Sequence, residues 1–85
     1  MEITVYGPLR SATGEKVVIV DFDGGTVAEA LDCFVAAYPR ARPQLYDDGE
    51  LRASVRVARD GERVDAADPC PPDASLSLHP AVQGG

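Results

Sequence analysis

The sequence predicts a single α+β domain in which one main helix packs against a mixed sheet of four to five strands. Two patterns support this class: short runs that alternate apolar and polar residues, as strands do, and one run with apolar residues at spacings of three and four, as in a helix. The 85 residues are too few for two separate cores, and no linker or repeat divides them. We expect residues 1–80 to form the domain and residues 81–85 to form a flexible tail.

Two strands are predicted before the helix. Residues 2–6 alternate apolar Ile3 and Val5 with more polar neighbours, and Lys16–Phe22 is a run rich in β-branched residues. We expect the segment Leu9–Gly14 between them to be a loop. Its short length favours antiparallel pairing of the two strands.

The main helix is predicted to start at Val27 and to end at about Tyr38. Thr26 and Glu29 have the spacing of a capping box, in which each side chain bonds a backbone N–H of the first turn. Pro39 disfavours helical geometry in the residue before it. Between these limits the apolar residues form one stripe, made of Val27, Ala30, Leu31, Phe34, Val35 and Tyr38.

After the helix, residues 40–50 have no clear period, and we expect a surface connection with a short helical turn at Gln44–Tyr46. Leu51–Arg59 alternates through Ala53, Val55 and Val57 and predicts a third strand. Asp60-Gly61 is a typical hairpin turn, so a fourth strand is expected from Glu62.

The last part of the domain is predicted to be a loop followed by a strand. Ala66–Asp73 contains three prolines, which cannot donate backbone hydrogen bonds within a sheet, so we expect a loop. Ser75–His79 alternates apolar and polar residues and predicts the last strand.

The charge balance excludes several classes of partner. Fourteen acidic and eight basic residues give a net charge of -6, which repels nucleic acid and anionic membranes. The chain opens without the basic and apolar stretches of a secretory signal, so we expect a cytoplasmic protein. We also expect it to be a monomer. Lys16 is its single lysine, and an acidic, lysine-poor surface suits a cytoplasm of high salt.

No internal motif indicates catalysis, a resident cofactor or a metal site. Cys33 and Cys70 lack the spacing of a redox or zinc site, and we expect two unpaired thiols. His79 is the sole histidine, so a small hydrolase would have to pair it with Cys70. The hydrolase is an alternative for which no basic cluster that would activate either thiol is evident.

The tail that ends in Gly84-Gly85 is the segment whose C-terminal carboxylate could take part in a reaction. Without side chains its backbone is slim enough to enter a narrow catalytic channel. The terminal carboxylate is inert to nucleophiles until another enzyme converts it into an acyl group with a good leaving group. The protein would then be a substrate or carrier, and the catalysis would belong to its partner.

Several segments resemble the ubiquitin-like β-grasp sulfur carriers, which include the small subunit of molybdopterin synthase, the thiamine sulfur carrier and the small archaeal modifier proteins. The resemblance rests on Val5–Arg10, on the helix start at Thr26-Val27 and above all on the ending Leu78–Gly85. The acidic, lysine-poor surface resembles members from halophilic archaea. Relatives commonly have Phe-Pro-Pro before the tail, whereas this chain has His79-Pro80-Ala81.

The resemblance implies a mechanism in which an E1-like enzyme spends ATP to adenylate the Gly85 carboxylate. The activated tail would then form isopeptide bonds with lysines of target proteins. Alternatively it would become a thiocarboxylate, with the large subunit of molybdopterin synthase or a tRNA thiolation enzyme as partner. Because the sequence already ends in Gly84-Gly85, we expect no protease step before activation.

The resemblance also implies that partners dock on the outer face of the sheet. Alternation predicts that Tyr6, Arg56 or Ala58, and His79 share this face. Lys16 is the only internal lysine available as an acceptor for a second copy. A further alternative is an adaptor that binds non-covalently by its sheet and makes no use of Gly84-Gly85.

Overall fold

The structure is a computed structural model that describes residues 1–80; the predicted tail, with Gly84 and Gly85, lies outside the described residues. Its helices are α1 (Pro8–Thr13), α2 (Val27–Ala37) and α3 (Arg42–Leu45), with a 3-10 turn at Pro39–Ala41. Its strands are β1 (Glu2–Val5), β2 (Val17–Ile19), β3 (Gly25–Thr26), β4 (Tyr46–Asp47), β5 (Glu50–Leu51), β6 (Arg56–Arg59), β7 (Glu62–Val64), β8 (Pro69–Cys70) and β9 (Ser75–His79). Within residues 1–80, no helix has the length and apolar character needed to cross a membrane.

Five strands form one mixed sheet in the order β2-β1-β9-β6-β7. The central pair, β1 and β9, is parallel, with Val5 opposite Leu78, and the other neighbours are antiparallel. The first and last strands of the domain therefore lie side by side in the middle of the sheet, and their C-terminal ends are next to each other. This arrangement confirms the predicted α+β class with a mixed sheet.

The core lies between the inner face of the sheet and α2. The predicted helical stripe faces the sheet, and Phe34 and Leu31 are almost completely buried against Ile3, Leu76 and Leu78. The capping box is present as predicted.

Within the capping box, Thr26 N–H donates to Glu29 Oε1 at 2.9 Å, and Glu29 N–H donates to Thr26 Oγ1 at 3.2 Å. These bonds satisfy donors that the first turn of a helix otherwise leaves free. The helix therefore begins at Val27, as the spacing predicted.

The expectation of a loop over Leu9–Gly14 is wrong, because most of this segment is helix α1. Pro8 begins the helix, a position where its fixed φ is favourable and its missing N–H costs nothing. Leu9 is fully buried in the core and holds the helix against the domain. Gly14, with φ of 79°, ends it in the left-handed conformation.

The prediction of one strand over Leu51–Arg59 is also wrong in its first half. Leu51 belongs to the small hairpin of β4 and β5, and a turn follows in which Val55 N–H donates to Arg52 O at 3.0 Å. Ala53 is exposed on this turn, so the apparent alternation there does not mark a strand. The strand itself starts at Arg56.

Two further boundaries differ from the prediction. The second strand covers only Val17–Ile19 of the predicted Lys16–Phe22. The proline-rich segment is not wholly a loop, because β8 pairs with β3 through Cys70 opposite Gly25. A proline is tolerated in this two-residue ladder because it lies outside the main sheet.

Candidate docking face and C-terminal tail

Tyr6 and His79 form an aromatic stack on the outer face of the sheet. Their ring centroids are 4.3 Å apart and their planes differ by 10°. The pair arises because Val5 lies opposite Leu78 in the parallel ladder, which brings the next residue of each chain segment together. Tyr6 N–H continues this ladder by donating to Leu78 O at 3.2 Å.

Cationic side chains surround this stack. The Lys16 ammonium lies 5.4 Å from the centre of the Tyr6 ring, a distance at which a cation interacts favourably with an aromatic face. Arg56 is the cross-strand neighbour of His79 in the β6–β9 ladder. The outer face thus combines an aromatic pair with positive charge, although the whole chain is acidic.

A shallow depression of about 440 Å³ adjoins His79 on the same side of the sheet. Its lining includes the side chains of Arg56, Ala58 and Arg63. Arg63 was not identified from the sequence as a residue of this face, although the Asp60-Gly61 turn determines its position. A two-residue turn there places Arg63 opposite Ala58, which the observed register shows.

The structure brings the sequence-selected sheet residues onto one face. Tyr6, Arg56, Ala58 and His79 all lie on the outer face, and we call these four residues the docking face. Their role in binding a partner remains a prediction. Pro80, the last described residue, follows His79 directly, so the described part of the chain ends beside the docking face.

Cys70 and His79 do not form a catalytic pair. Cys70 is buried, with its Sγ 3.7 Å from Met1 Sδ, whereas His79 stacks on Tyr6. Met1 and Tyr6 lie at opposite ends of β1, about 16 Å apart at the usual rise of a strand.

The chemistry of the cysteines also argues against a nucleophile. Desolvation by burial raises the pKa of the Cys70 thiol, which disfavours the reactive thiolate. Cys33 and Cys70 are both free, as predicted. Across residues 1–80, no cluster of three or more potential metal-ligating His, Cys, Asp or Glu side chains occurs.

Comparison with known proteins supplies the family. The sequence model of the ThiS family matches residues 3–85, which is nearly the whole chain and includes Gly84-Gly85. The chain belongs to the ThiS family. Among curated proteins, small archaeal modifier protein 1 of Haloferax volcanii is 37% identical over 87 residues, and the match covers 100% of both chains.

Solved structures agree with this assignment. The crystal structure of small archaeal modifier protein 1 from Haloferax volcanii matches with a TM-score of 0.92 and 34% identity, covering 100% of this chain and 98% of that one. A chain of the Amycolatopsis orientalis BexX/CysO complex matches with a TM-score of 0.82 and 26% identity, covering 99% and 98%. The fold of this ThiS family member is therefore the ubiquitin-like β-grasp, and the chain is a homologue of the small modifiers and sulfur carriers.

Proposed function

We propose that this protein is a ubiquitin-like modifier that becomes attached to other proteins through Gly85. An E1-like enzyme joins the Gly85 carboxylate to the α-phosphate of ATP and releases pyrophosphate. A target lysine amine then displaces AMP directly and forms an isopeptide bond. Alternatively, an enzyme cysteine displaces AMP first to form a thioester, and the lysine amine displaces that cysteine. The protein is then a substrate of its enzyme and supplies no catalytic group of its own.

The observation that supports this proposal most strongly is the full-length match to small archaeal modifier protein 1 together with the Gly84-Gly85 ending. The fold is suited to present such a tail, because the strand that precedes it is held firmly. Its last strand, β9, lies at the centre of the sheet between β1 and β6, so the segment before the tail is anchored from both sides. A partner that binds the sheet would therefore fix the position of the residue from which the tail starts.

The docking face is the surface that we assign to the E1-like enzyme. It lies beside Pro80, so an enzyme that binds Tyr6 and His79 would be next to the residue from which the predicted tail starts. Lys16 and Arg56 add positive charge, which favours an enzyme surface with acidic residues. Because the rest of this chain is acidic, that charge also orients the two proteins as they meet.

The test compares the full chain with a variant that lacks Gly84 and Gly85, both N-terminally tagged and expressed in the native cells. Under reducing and denaturing conditions, we expect bands heavier than the free protein with the full chain only. A purely non-covalent adaptor would give no such bands and would keep its partners after the truncation. Heavier bands that persist in the truncated variant would contradict conjugation through Gly85.

Identification of conjugates needs a suitable protease. Arg63 is the last site for trypsin, so a tryptic digest would leave Val64–Gly85 on the modified lysine. A search for a short Gly-Gly remnant would miss these sites. Mass spectrometry should therefore search for the 64–85 branch itself.

A second candidate function is sulfur transport, and the match to the ThiS family favours it specifically. In that case a hydrosulfide ion, rather than an amine, displaces AMP and leaves a thiocarboxylate on Gly85. Intact-mass measurement of protein purified from native cells tests this, since exchange of one oxygen for sulfur raises the mass by a defined amount. Detection of both the thiocarboxylate and the isopeptide conjugates would assign both functions to one tail.

A further inference from the structure

The strand β2, at one edge of the sheet, exposes apolar side chains. Val17 is 43% exposed and Ile19 is 69% exposed, whereas Val18 between them is buried. Among residues 1–80, β2 is the last strand on its side of the sheet and has β1 as its one neighbour. We call Val17 and Ile19 the apolar edge.

The backbone of the same two residues faces away from the sheet. Met1 N donates to Val20 O at 2.7 Å, and Val20 N–H donates to Met1 O at 2.9 Å. In an antiparallel ladder, successive residues bond alternately to one side and the other. The N–H and C=O groups of Val17 and Ile19 therefore point outward, where the described part of the chain adds no further strand.

The opposite edge of the sheet is built differently. β7 carries Glu62 and Arg63, both exposed, and charged side chains on an edge strand discourage pairing with another chain. Residues 17–20 of the β2 segment are all β-branched and uncharged, a composition that favours strand pairing. Charged side chains, which normally prevent the addition of another strand, are therefore present on β7 and absent from β2.

We propose that β2 pairs with β2 of a second copy of this chain, antiparallel and around a two-fold axis at Val18. Val17 of each copy then lies opposite Ile19 of the other, so their outward backbone groups form four hydrogen bonds. Their apolar side chains meet on the outer face of the joined sheet. The same two residues of both copies form the interface, as a two-fold axis requires.

Apolar pairing favours this register over its neighbour, although it places Glu15 of each copy opposite Asp21 of the other just beyond the strand, a like-charge pair that salt screens. With the axis at Val18, Lys16 lies opposite the uncharged Val20 of the other copy. Moving the axis to Ile19 would place Val17 opposite the charged Asp21. The axis perpendicular to the sheet leaves both docking faces on the same, uncovered side.

The dimer is weak and strengthens with salt. A strand of three residues buries less than the roughly 800 Å² per partner of a standard interface. Each copy carries a net charge of -6, and the molecule is about 25 Å across in its smaller dimensions. Screening between about 0.1 and 1 M salt then strengthens association roughly fivefold. At low concentration and low salt the protein is a monomer.

The experiment is sedimentation velocity of the full chain over a concentration series up to about 1 mM, at both salt concentrations. We expect a monomer–dimer equilibrium that shifts toward the dimer at high salt. Ile19→Lys should abolish the dimer although it lowers the net negative charge by one. Gln44→Lys makes the same change of charge on α3, which is not part of the sheet that contains β2, and should leave the dimer intact.

Amide hydrogen exchange of the unsubstituted chain tests the register directly. The N–H groups of Val17 and Ile19 should exchange fast in dilute solution and slow down under dimer-forming conditions. Absence of a dimer at about 1 mM in 1 M salt would overturn the proposal. So would a dimer that Ile19→Lys leaves intact or that leaves both amides unprotected. Since these outcomes do not involve Gly85, they are independent of the proposed function.

Discussion

Tyr6 is oriented before any partner binds, because His79 covers one face of its ring. Stacked aromatic pairs contribute about 0.5–1.5 kcal/mol beyond their area burial. Tyr6 keeps 38% of its surface exposed, so a large aromatic area is still available for contact. A side chain that is already ordered loses less entropy on binding. Of the four residues in the docking face, Tyr6 is therefore the one that we expect to contribute most of the binding energy.

Tyr6→Ala should weaken binding to the E1-like enzyme by about 2 kcal/mol, or roughly 30-fold, as expected for an aromatic residue at the centre of an interface. Tyr6→Phe keeps the stack on His79 and should remain within a few-fold of the unsubstituted protein. Isothermal titration calorimetry of the purified proteins measures both affinities. If Tyr6→Ala binds as tightly as the unsubstituted chain, the enzyme docks elsewhere.

Cys70 should resist alkylation in the folded protein at neutral pH. The thiol is buried, and desolvation raises its pKa, so the protonated form is favoured in the native state. Its contribution to stability is therefore complete below the pKa of the unfolded thiol and is lost as the pH rises through the folded pKa. Iodoacetamide labelling read by mass spectrometry should modify Cys33, which is half-buried, before Cys70. Faster labelling of Cys70 would show that the thiol is activated.

At the scale of the elements, the start of α2 depends on a glycine next to its capping box. Gly25 has φ of 151°, and a Cβ added there would lie 2.5 Å from Glu29 Oε1. Glu29 would have to move and would lose its bond to Thr26 N–H. We expect Gly25→Ala to lower the free energy of unfolding by about 1–2 kcal/mol, the combined cost of a strained backbone and a lost cap.

Urea denaturation measures this change, and Gly14→Ala is its matched control. Gly14 also has positive φ, at 79°, but nothing lies within 4 Å of an added Cβ. Its substitution therefore costs backbone strain alone. Equal losses of stability for the two variants would mean that the contact with Glu29 contributes nothing.

The elements that the sequence predicted well are those determined by local patterns. Helix α2 has its own capping box and apolar stripe, and β9 coincides with the predicted Ser75–His79 because strict alternation fits a strand with one buried face. Helix α1 escaped prediction because Leu9 contributes a single buried residue, which gives no period. The β3–β8 ladder depends on tertiary contact between distant segments, as the bond from Val27 N–H to Asp68 O shows.

At the scale of the whole molecule, the shared face of the predicted sheet residues followed from alternation, but their neighbours depended on register. The period of two placed Tyr6 and His79 on the outer face. That Lys16 would lie over Tyr6 depends on how the β1–β2 connection folds, which includes the unpredicted helix α1. Arg63 lines the depression because the pairing of β6 with β7 places it opposite Ala58.

The placement of Lys16 leads to a prediction about conjugates of this protein with itself. Lys16 is the single lysine, and its ammonium lies over the Tyr6 ring of the docking face. The amino group of Met1 is the other possible acceptor, but it donates to Val20 O at 2.7 Å and is partly buried. Self-conjugation should therefore use Lys16.

Lys16→Arg should abolish self-conjugates in a reaction of the purified chain with its E1-like enzyme and ATP, while conjugates with other proteins persist. A copy attached at Lys16 would also cover Tyr6, so the modified copy should bind the enzyme poorly and its own Gly85 should be activated slowly. Denaturing electrophoresis shows the number of copies, and mass spectrometry locates the 64–85 branch. Adenylation of purified two-copy conjugate at the rate of the free protein would show that the enzyme does not need the surface around Tyr6.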